Sequence, residues 1–338
     1  MISQTYSPKL VSIISPCYNG ESYINRFLDS LLAQTYDKIE LIIINDGSTD
    51  NTEEIIKSYE VKFTSRGYLF KYIYQDNAGQ SEAINKALPI FQGEYMTWVD
   101  SDDFLPPDAI KVKVAYLENH LNVGLVVSRV QVVSENNFEN LRIQQRICPE
   151  GKDDFFFDLI LGKNVYYTPG GYMVRSSMFK DAMPKPIKIQ SPREIGQNFQ
   201  LLLPISYKYP IGYIDDITYI YTVRNNSHSR QKHDYNESKN IIKVISKVLH
   251  NIALDIEPDE HFRIKIDKTI DIRIAKSQLR CLFSYNKKDG LNDLKNRLKL
   301  LNAYDKESEH MVFCLKYPLI SKLIVKGKRT LFLIKNFK

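Results

Sequence analysis

Residues 95–105 read YMTWVDSDDFL. An apolar run with the character of a buried strand ends in three carboxylates, Asp100, Asp102 and Asp103. Side chains alternate along an extended segment, so Asp100 and Asp102 point to one side. Two carboxylates sharing a side at a strand end repel each other unless a cation bridges them. A hard divalent ion, Mn²⁺ or Mg²⁺, suits such a pair. It takes one or two protein carboxylates and fills its remaining positions with phosphate oxygens and water. The implied ligand is therefore a metal carrying a diphosphate. Taken alone, DSDD favours a blander reading, a solvated turn in which Asp103 caps the next helix, because short acidic motifs are common.

The residues before this run alternate strand and helix patterns. Residues 10–15 (LVSIIS) form an apolar run ended by Pro16, and Ile24, Phe27, Leu28, Leu31 and Leu32 then recur at helical spacing. Residues 39–44 (IELIII) read as a second strand, and Asp50 with Glu53 resembles a capping box for the next helix. Residues 70–74 (FKYIY) read as a third strand, and Ala83, Ile84, Ala87 and Leu88 as a helix stopped near Pro89. Residues 95–99 are the fourth strand, and Pro107 suits the start of another helix. This succession implies a parallel sheet with helices on both faces, an α/β fold. Ligands of such sheets bind at the carboxyl ends of the strands. All four ends here are polar: residues 16–21 (PCYNGE), 45–48 (NDGS), 76–79 (DNAG) and 100–103 (DSDD). One site assembled from four loops is the expectation.

Further on, residues 125–133 and 172–174 read as strands, with a TPGG turn at 168–171 before the second. Residues 193–203 (REIGQNFQLLL) read as a helix ending at Pro204, and residues 219–223 as a strand leading into RNNSHS. Beyond Asn236 the pattern is helical, with Ile241, Ile242, Ile245, Val248, Leu249 and Ile252 on one stripe. Residues 1–230 thus form the α/β part, divided into 1–105 and 106–230, and residues 231–338 a helical extension.

The composition excludes several alternatives. The chain has 338 residues, 43% hydrophobic and 25% charged, which is ordinary for a globular protein. Cys17, Cys148, Cys281 and Cys314 are scattered without zinc spacing and read as the reduced thiols of a cytosolic protein. No signal-peptide pattern opens the chain, and no apolar run is long enough to span a bilayer. There is neither GxGxxG after the first strand nor GxxxxGK[ST], which removes the main support for dinucleotide and P-loop sites. Seven basic residues and no acidic ones lie from Lys316 onward; removing them from the net +6 leaves −1. The body is near neutral, which argues against nucleic acid. The basic, apolar tail suits the surface of an anionic membrane or, equally, a docking helix with a solvated basic face.

PCYNGESYI, LIIINDGSTDNT, NAGQSEAINKAL and GEYMTWVDSDD, in this order and spacing, resemble the donor half of family 2 glycosyltransferases. The resemblance is strong over residues 10–105 and weaker over 165–230. It implies a GT-A fold (Rossmann-like, a mostly parallel sheet) and sugar transfer from a nucleotide diphosphate to an acceptor hydroxyl, with inversion at the anomeric carbon. By position it puts Pro16, Tyr18 and Glu21 along the nucleobase and ribose and Asp46 on the base, usually uracil. Asn77, Gly79 and Asn85 fall in the motif beside the nucleotide. Asp100 and Asp102 match the family's DxD pair, with Asp102 the stronger metal ligand. The implied partners are a nucleotide-sugar donor, UDP-linked in the family's usual pattern, and a saccharide acceptor. A lipid-linked acceptor, as in capsule or lipopolysaccharide assembly, would fit attachment of the tail to the inner face of the membrane.

The chain departs from the family where the catalytic base belongs. An Asp of a Glu-Asp pair normally opens a helix in the acceptor half; here Gln197-Asn198 stands there. Neither accepts a proton near neutral pH. Glu194 is the nearest carboxylate and, if the helix already runs there, shares a face with Asn198. It is the candidate base, with Gln197 and Asn198 orienting the acceptor; the alternative is that it only favours the helix N-terminus. His228 falls where related enzymes close over the diphosphate, or is a solvated loop residue. Two rivals remain: a sugar nucleotidyltransferase, disfavoured because no Lys or Arg precedes Arg26 after the first strand, and a non-catalytic sugar-nucleotide-binding subunit.

Overall fold

The computed structural model describes residues 6–146, 154–166, 168–190, 197–224 and 233–318. The chain divides into two compact units, Met1–Gln231 with Leu254–Glu257, and Lys232–Ala253 with Pro258–Lys338.

The first unit is built on one mixed sheet. Its first half is β1 (Ser7–Cys17), α1 (Ile24–Leu32), β2 (Ile39–Asp46), α2 (Thr52–Ser58), α3 (Glu60–Ser65), β3 (Leu69–Gln75), α4 (Gln80–Ala87) and β4 (Gly93–Trp98). Then follow α5 (Ala109–Asn119), β5 (Leu125–Ser134), β6 (Asn140–Gln144), α6 (Phe155–Leu161), β7 (Tyr172–Arg175), α7 (Ser176–Ala182), α8 (Asn198–Lys208) and β8 (Ile211–Val223). The order is β3-β2-β1-β4-β7-β5-β6, with β8 on the other edge of β5. The four N-terminal strands pair in parallel, β7 is antiparallel to both β4 and β5, and β8 runs parallel to β5.

Every residue of β2 is buried, as expected for a central parallel strand written IELIIIND. Its one internal charge, Glu40, is satisfied by Lys71 Nζ at 2.6 Å, by Gln92 N at 2.9 Å and by the Ser12 hydroxyl. Val11, Ile13, Leu41, Ile43 and Tyr95 share one core with Phe27, Leu31, Phe63, Ile110 and Leu117 from α1, α3 and α5. The alternate residues Ile14, Ile42 and Ile44 are equally buried and face the other way, where α4 lies on β1 and β2. Helices on both faces cover the central strands β1, β2 and β4.

Three elements differ from the sequence reading. The helix expected to end at Pro204 continues to Lys208 with Pro204 inside it and buried. β8 begins at Ile211 rather than Tyr219, because register shifts against β5 absorb the polar Asp215-Asp216 step. Asp50 caps no helix in the expected way: its carboxylate takes the Thr52 N–H at 3.0 Å and the Glu21 N–H at 3.1 Å.

The second unit is helical. It contains most of α9 (Tyr235–Asp255) together with α10 (Glu260–Ser284), α11 (Leu291–Leu300) and α12 (Lys306–Lys316). Ala275, Leu279, Leu282, Leu291, Leu294, Leu298, Met311, Val312 and Leu315 form its own core. No described helix is long and apolar enough to cross a membrane. The basic tail beyond Pro318 lies outside the described residues.

Candidate active site

The four polar strand ends meet at one edge of the sheet and are tied together loop by loop. From the β1 loop, Asn19 N donates to Ser48 Oγ at 3.0 Å, Gly20 N to Thr52 Oγ1 at 2.6 Å, and Asn19 Oδ1 accepts from Thr49 N at 2.9 Å. The Glu21 carboxylate accepts from the Asn51 backbone at 3.1 Å and its side chain at 3.0 Å. Tyr18 stands 43% exposed beside this junction, and Pro16 is half-buried at the end of β1.

Asp46 joins the β2 and β3 ends. Oδ1 accepts from Gln75 Nε2 at 2.7 Å and Ala78 N at 2.8 Å, and Oδ2 from Gly79 N at 2.9 Å. Asp46 is 4% exposed, so its first task is to hold the Asn77–Gly79 turn in place. Gly47 makes that approach possible. It has φ +73°, and a Cβ there would lie 2.6 Å from Asn77 N. At the start of α4, Gln80 Nε2 donates to Asp100 Oδ1 at 2.6 Å and brings the fourth loop into the same set.

Asn85 is engaged elsewhere. Its side chain donates to Ile189 O at 2.9 Å and accepts from Ile189 N at 2.8 Å, as a strand neighbour would. It fastens the segment before α8 to α4, a role the sequence did not suggest.

Asp100, Asp102 and Asp103 each offer an oxygen within a 4.8 Å cluster, but they are not equivalent. Asp103 is fully buried; Oδ2 accepts from Tyr219 OH at 2.6 Å and Oδ1 from Thr222 N at 2.6 Å. It anchors β8 beneath the loop, which replaces the helix-capping role open to it in the sequence. Burial, with Asp102 and Asp100 beside it, raises its carboxyl well above the ordinary range. Asp100 and Asp102 remain half-buried. Burial first, and the Asp102 charge second, push Asp100 up to about 7, with the Gln80 hydrogen bond opposing the shift. Two adjacent carboxylates at a strand end are hard oxygen ligands of the kind that Mg²⁺ or Mn²⁺ takes.

Asn198 is 8% exposed, and its Oδ1 accepts from Trp98 Nε1 at 3.0 Å and from Tyr172 OH at 2.6 Å. The Trp98 and Tyr172 rings pack edge-on, 4.4 Å apart. Trp98 is therefore core packing and, two residues before Asp100 in the chain, also fixes the Asn198 amide. Gln197 is buried beside it, at the entry to α8. Glu194 and His228 lie outside the described residues.

Sequence reading missed several members of this site. Gln80 sits in a named motif but carries no charge to draw notice. Tyr219 was visible only as an aromatic strand residue. Arg26, which donates to Asp102 O at 2.6 Å, and Arg224, 2.7 Å from Asp102 Oδ2, come from distant elements. The one usable signal was a cation directly after the last strand of the sheet.

The family pattern for glycosyl transferase family 2 matches residues 12–182, and the chain belongs to that family. An uncharacterized glycosyltransferase of Rickettsia typhi is 42% identical over 127 residues, which are 38% of this chain and 37% of that protein. Staphylococcus aureus TarS residues 1–349, solved in complex with UDP-GlcNAc, is similar in fold. Its TM-score is 0.61 at 18% identity, covering 91% of this chain and 86% of that one. The mannosyltransferase PcManGT of Pyrobaculum calidifontis, in complex with GDP-Man and Mn²⁺, gives a TM-score of 0.52 at 16% identity, covering 93% and 86%. The fold expected from the sequence is thus the fold found.

Proposed function

We propose that this chain is an inverting glycosyltransferase that moves a sugar from a UDP-linked donor to the hydroxyl of a saccharide acceptor. The observation that carries this reading is the joining of four strand-end loops around the half-buried pair Asp100 and Asp102. Family membership and the UDP-GlcNAc complex of TarS support the donor class. The GDP-Man complex of PcManGT keeps a guanine nucleotide as the alternative.

Asp102 and Asp100 would hold the divalent ion, for which the Mn²⁺ of PcManGT is a precedent. Bound there, the ion would neutralise charge on the leaving diphosphate. Tyr18, Pro16 and Glu21 would line the nucleoside, and Asn77 and Gly79 would bring backbone close to it. Asp46 contributes through the turn it holds, with both oxygens already accepting hydrogen bonds. The acceptor proton needs a base. Asn198 cannot supply one, so Glu194 is the proposed base, with Gln197 and Asn198 shaping the acceptor subsite and His228 closing over the diphosphate. A lipid-linked acceptor in surface polysaccharide synthesis, and attachment to the inner face of the membrane through the basic tail, remain proposals of the sequence.

A second reading rests on Asn198. An amide where the family carries a carboxylate suits a sugar-nucleotide-binding subunit that supports an active partner. The test is turnover of a UDP-sugar panel with Mn²⁺ and saccharide acceptors, with the product's anomeric configuration read by NMR. An inverted product whose formation Glu194→Gln abolishes supports the enzyme and its base. Nucleotide binding without turnover of any donor favours the second reading, and a retained configuration contradicts the mechanism.

A further inference from the structure

The carboxylate pair has a built-in competitor for its cation. Arg224 directly follows β8, and its guanidinium stands 2.7 Å from Asp102 Oδ2. The guanidinium lies over the Tyr23 ring, 4.5 Å from its centroid. Its Nε is buried and has no hydrogen-bond partner among the described residues. Arg26, the other nearby cation, is committed differently. It donates to Asp102 O at 2.6 Å and Thr222 Oγ1 at 3.3 Å, between the rings of Phe104 and Phe138. It therefore braces the loop from the backbone side, and among the described residues the direct ion pair with the Asp102 carboxylate is that of Arg224.

We propose that Arg224 is a latch on the metal site, resting on the metal–diphosphate reading above. With the site empty, its guanidinium takes the place of a cation at Asp102. A divalent ion that arrives alone must break this pair and leave a partly buried guanidinium without a counter-ion. An ion that arrives with a nucleoside diphosphate brings the freed guanidinium a new acceptor, for which its planar fork is well shaped. Arg224 thus couples the two ligands. It weakens binding of the bare ion and strengthens binding of the ion together with the nucleotide, and linkage requires the same factor in both directions.

Titrating the full chain with Mn²⁺, with and without UDP, and reading free Mn²⁺ by EPR tests the latch without any turnover. In Arg224→Met the Mn²⁺ affinity without nucleotide should rise about fivefold, the scale of one partly exposed ion pair. The tightening of Mn²⁺ by UDP should fall by at least as much. Unchanged or weaker Mn²⁺ binding in this variant, or a UDP effect equal to wild type, overturns the latch. Should Arg224→Met not fold, Arg224→Gln carries the same two expectations. Asp102→Asn in the same titration separates the failures. If it binds Mn²⁺ like wild type, the metal reading itself is wrong; if it loses Mn²⁺ while the Arg224 variants behave like wild type, only the latch fails.

Discussion

Asn198 accepts hydrogen bonds from two buried aromatic donors, and that fixes what may replace it. Asn198→Leu leaves the Trp98 and Tyr172 donors without an acceptor. Each buried orphan costs roughly 1–3 kcal/mol, so urea denaturation should show a loss of about 2–5 kcal/mol. Asn198→Asp keeps an acceptor for both donors and should unfold within about 1 kcal/mol of wild type. Equal losses in the two variants would show that the hydrogen bonds do not govern this position. Lys113 is a second residue-scale case. It is fully buried on α5, its Nζ donates to Gly170 O, and burial pushes its ammonium down to about 7. Above that pH the folded chain has released a proton that the unfolded chain keeps until its ordinary value of 10.5. Stability therefore rises with pH across this window, by at most about 1.4 kcal/mol per unit. Urea midpoints from pH 7 to 9 should climb in wild type and flatten in Lys113→Met; parallel slopes would contradict a neutral buried lysine.

At the scale of elements, the site is a set of turns, and Gly47 is its tightest point. Gly47→Ala places a Cβ against the Asn77 backbone in a left-handed conformation, which costs at least about 1–2 kcal/mol. UDP affinity should fall severalfold while the secondary structure by circular dichroism stays intact; unaltered affinity would detach the Asn77–Gly79 turn from the nucleotide. The strands and the loop edge were legible because apolar runs of the right length alternate with helical spacing, and because all four polar ends fall on one side of a parallel sheet. Asp50 was misread because a capping box and a loop tie use the same residue types, and only the distance to Glu21 N separates them. The contacts of Asn85 and Asp103 were not legible because their partners, Ile189 and Tyr219, lie 104 and 116 residues away. Arg224 carried no motif, so its pairing with Asp102 is a product of the fold alone.

The whole molecule has two units with separate cores, and this separation is itself testable. Leu298 is fully buried among the apolar residues of the helical unit. Leu298→Ala should destabilise that unit by about 2–5 kcal/mol. UDP and Mn²⁺ binding, which the proposed site assigns to the α/β unit, should stay as in wild type below its melting range; a matching loss of nucleotide affinity would show that the helical unit supports the site. The near-neutral body and the basic tail divide in the same sense, since the charge that could draw the chain to an anionic surface lies in the extension and not in the sheet.

The central claim is that the four strand ends of this sheet form one site for a metal-bound nucleoside diphosphate. Calorimetric titration of UDP into the purified chain, with and without Mn²⁺, in wild type and Asp102→Asn, tests it most directly. The account predicts that Mn²⁺ tightens UDP binding about fivefold or more in wild type and has no effect in the folded Asp102→Asn chain. UDP binding that ignores Mn²⁺ in wild type, or a Mn²⁺ effect that survives Asp102→Asn, would contradict it.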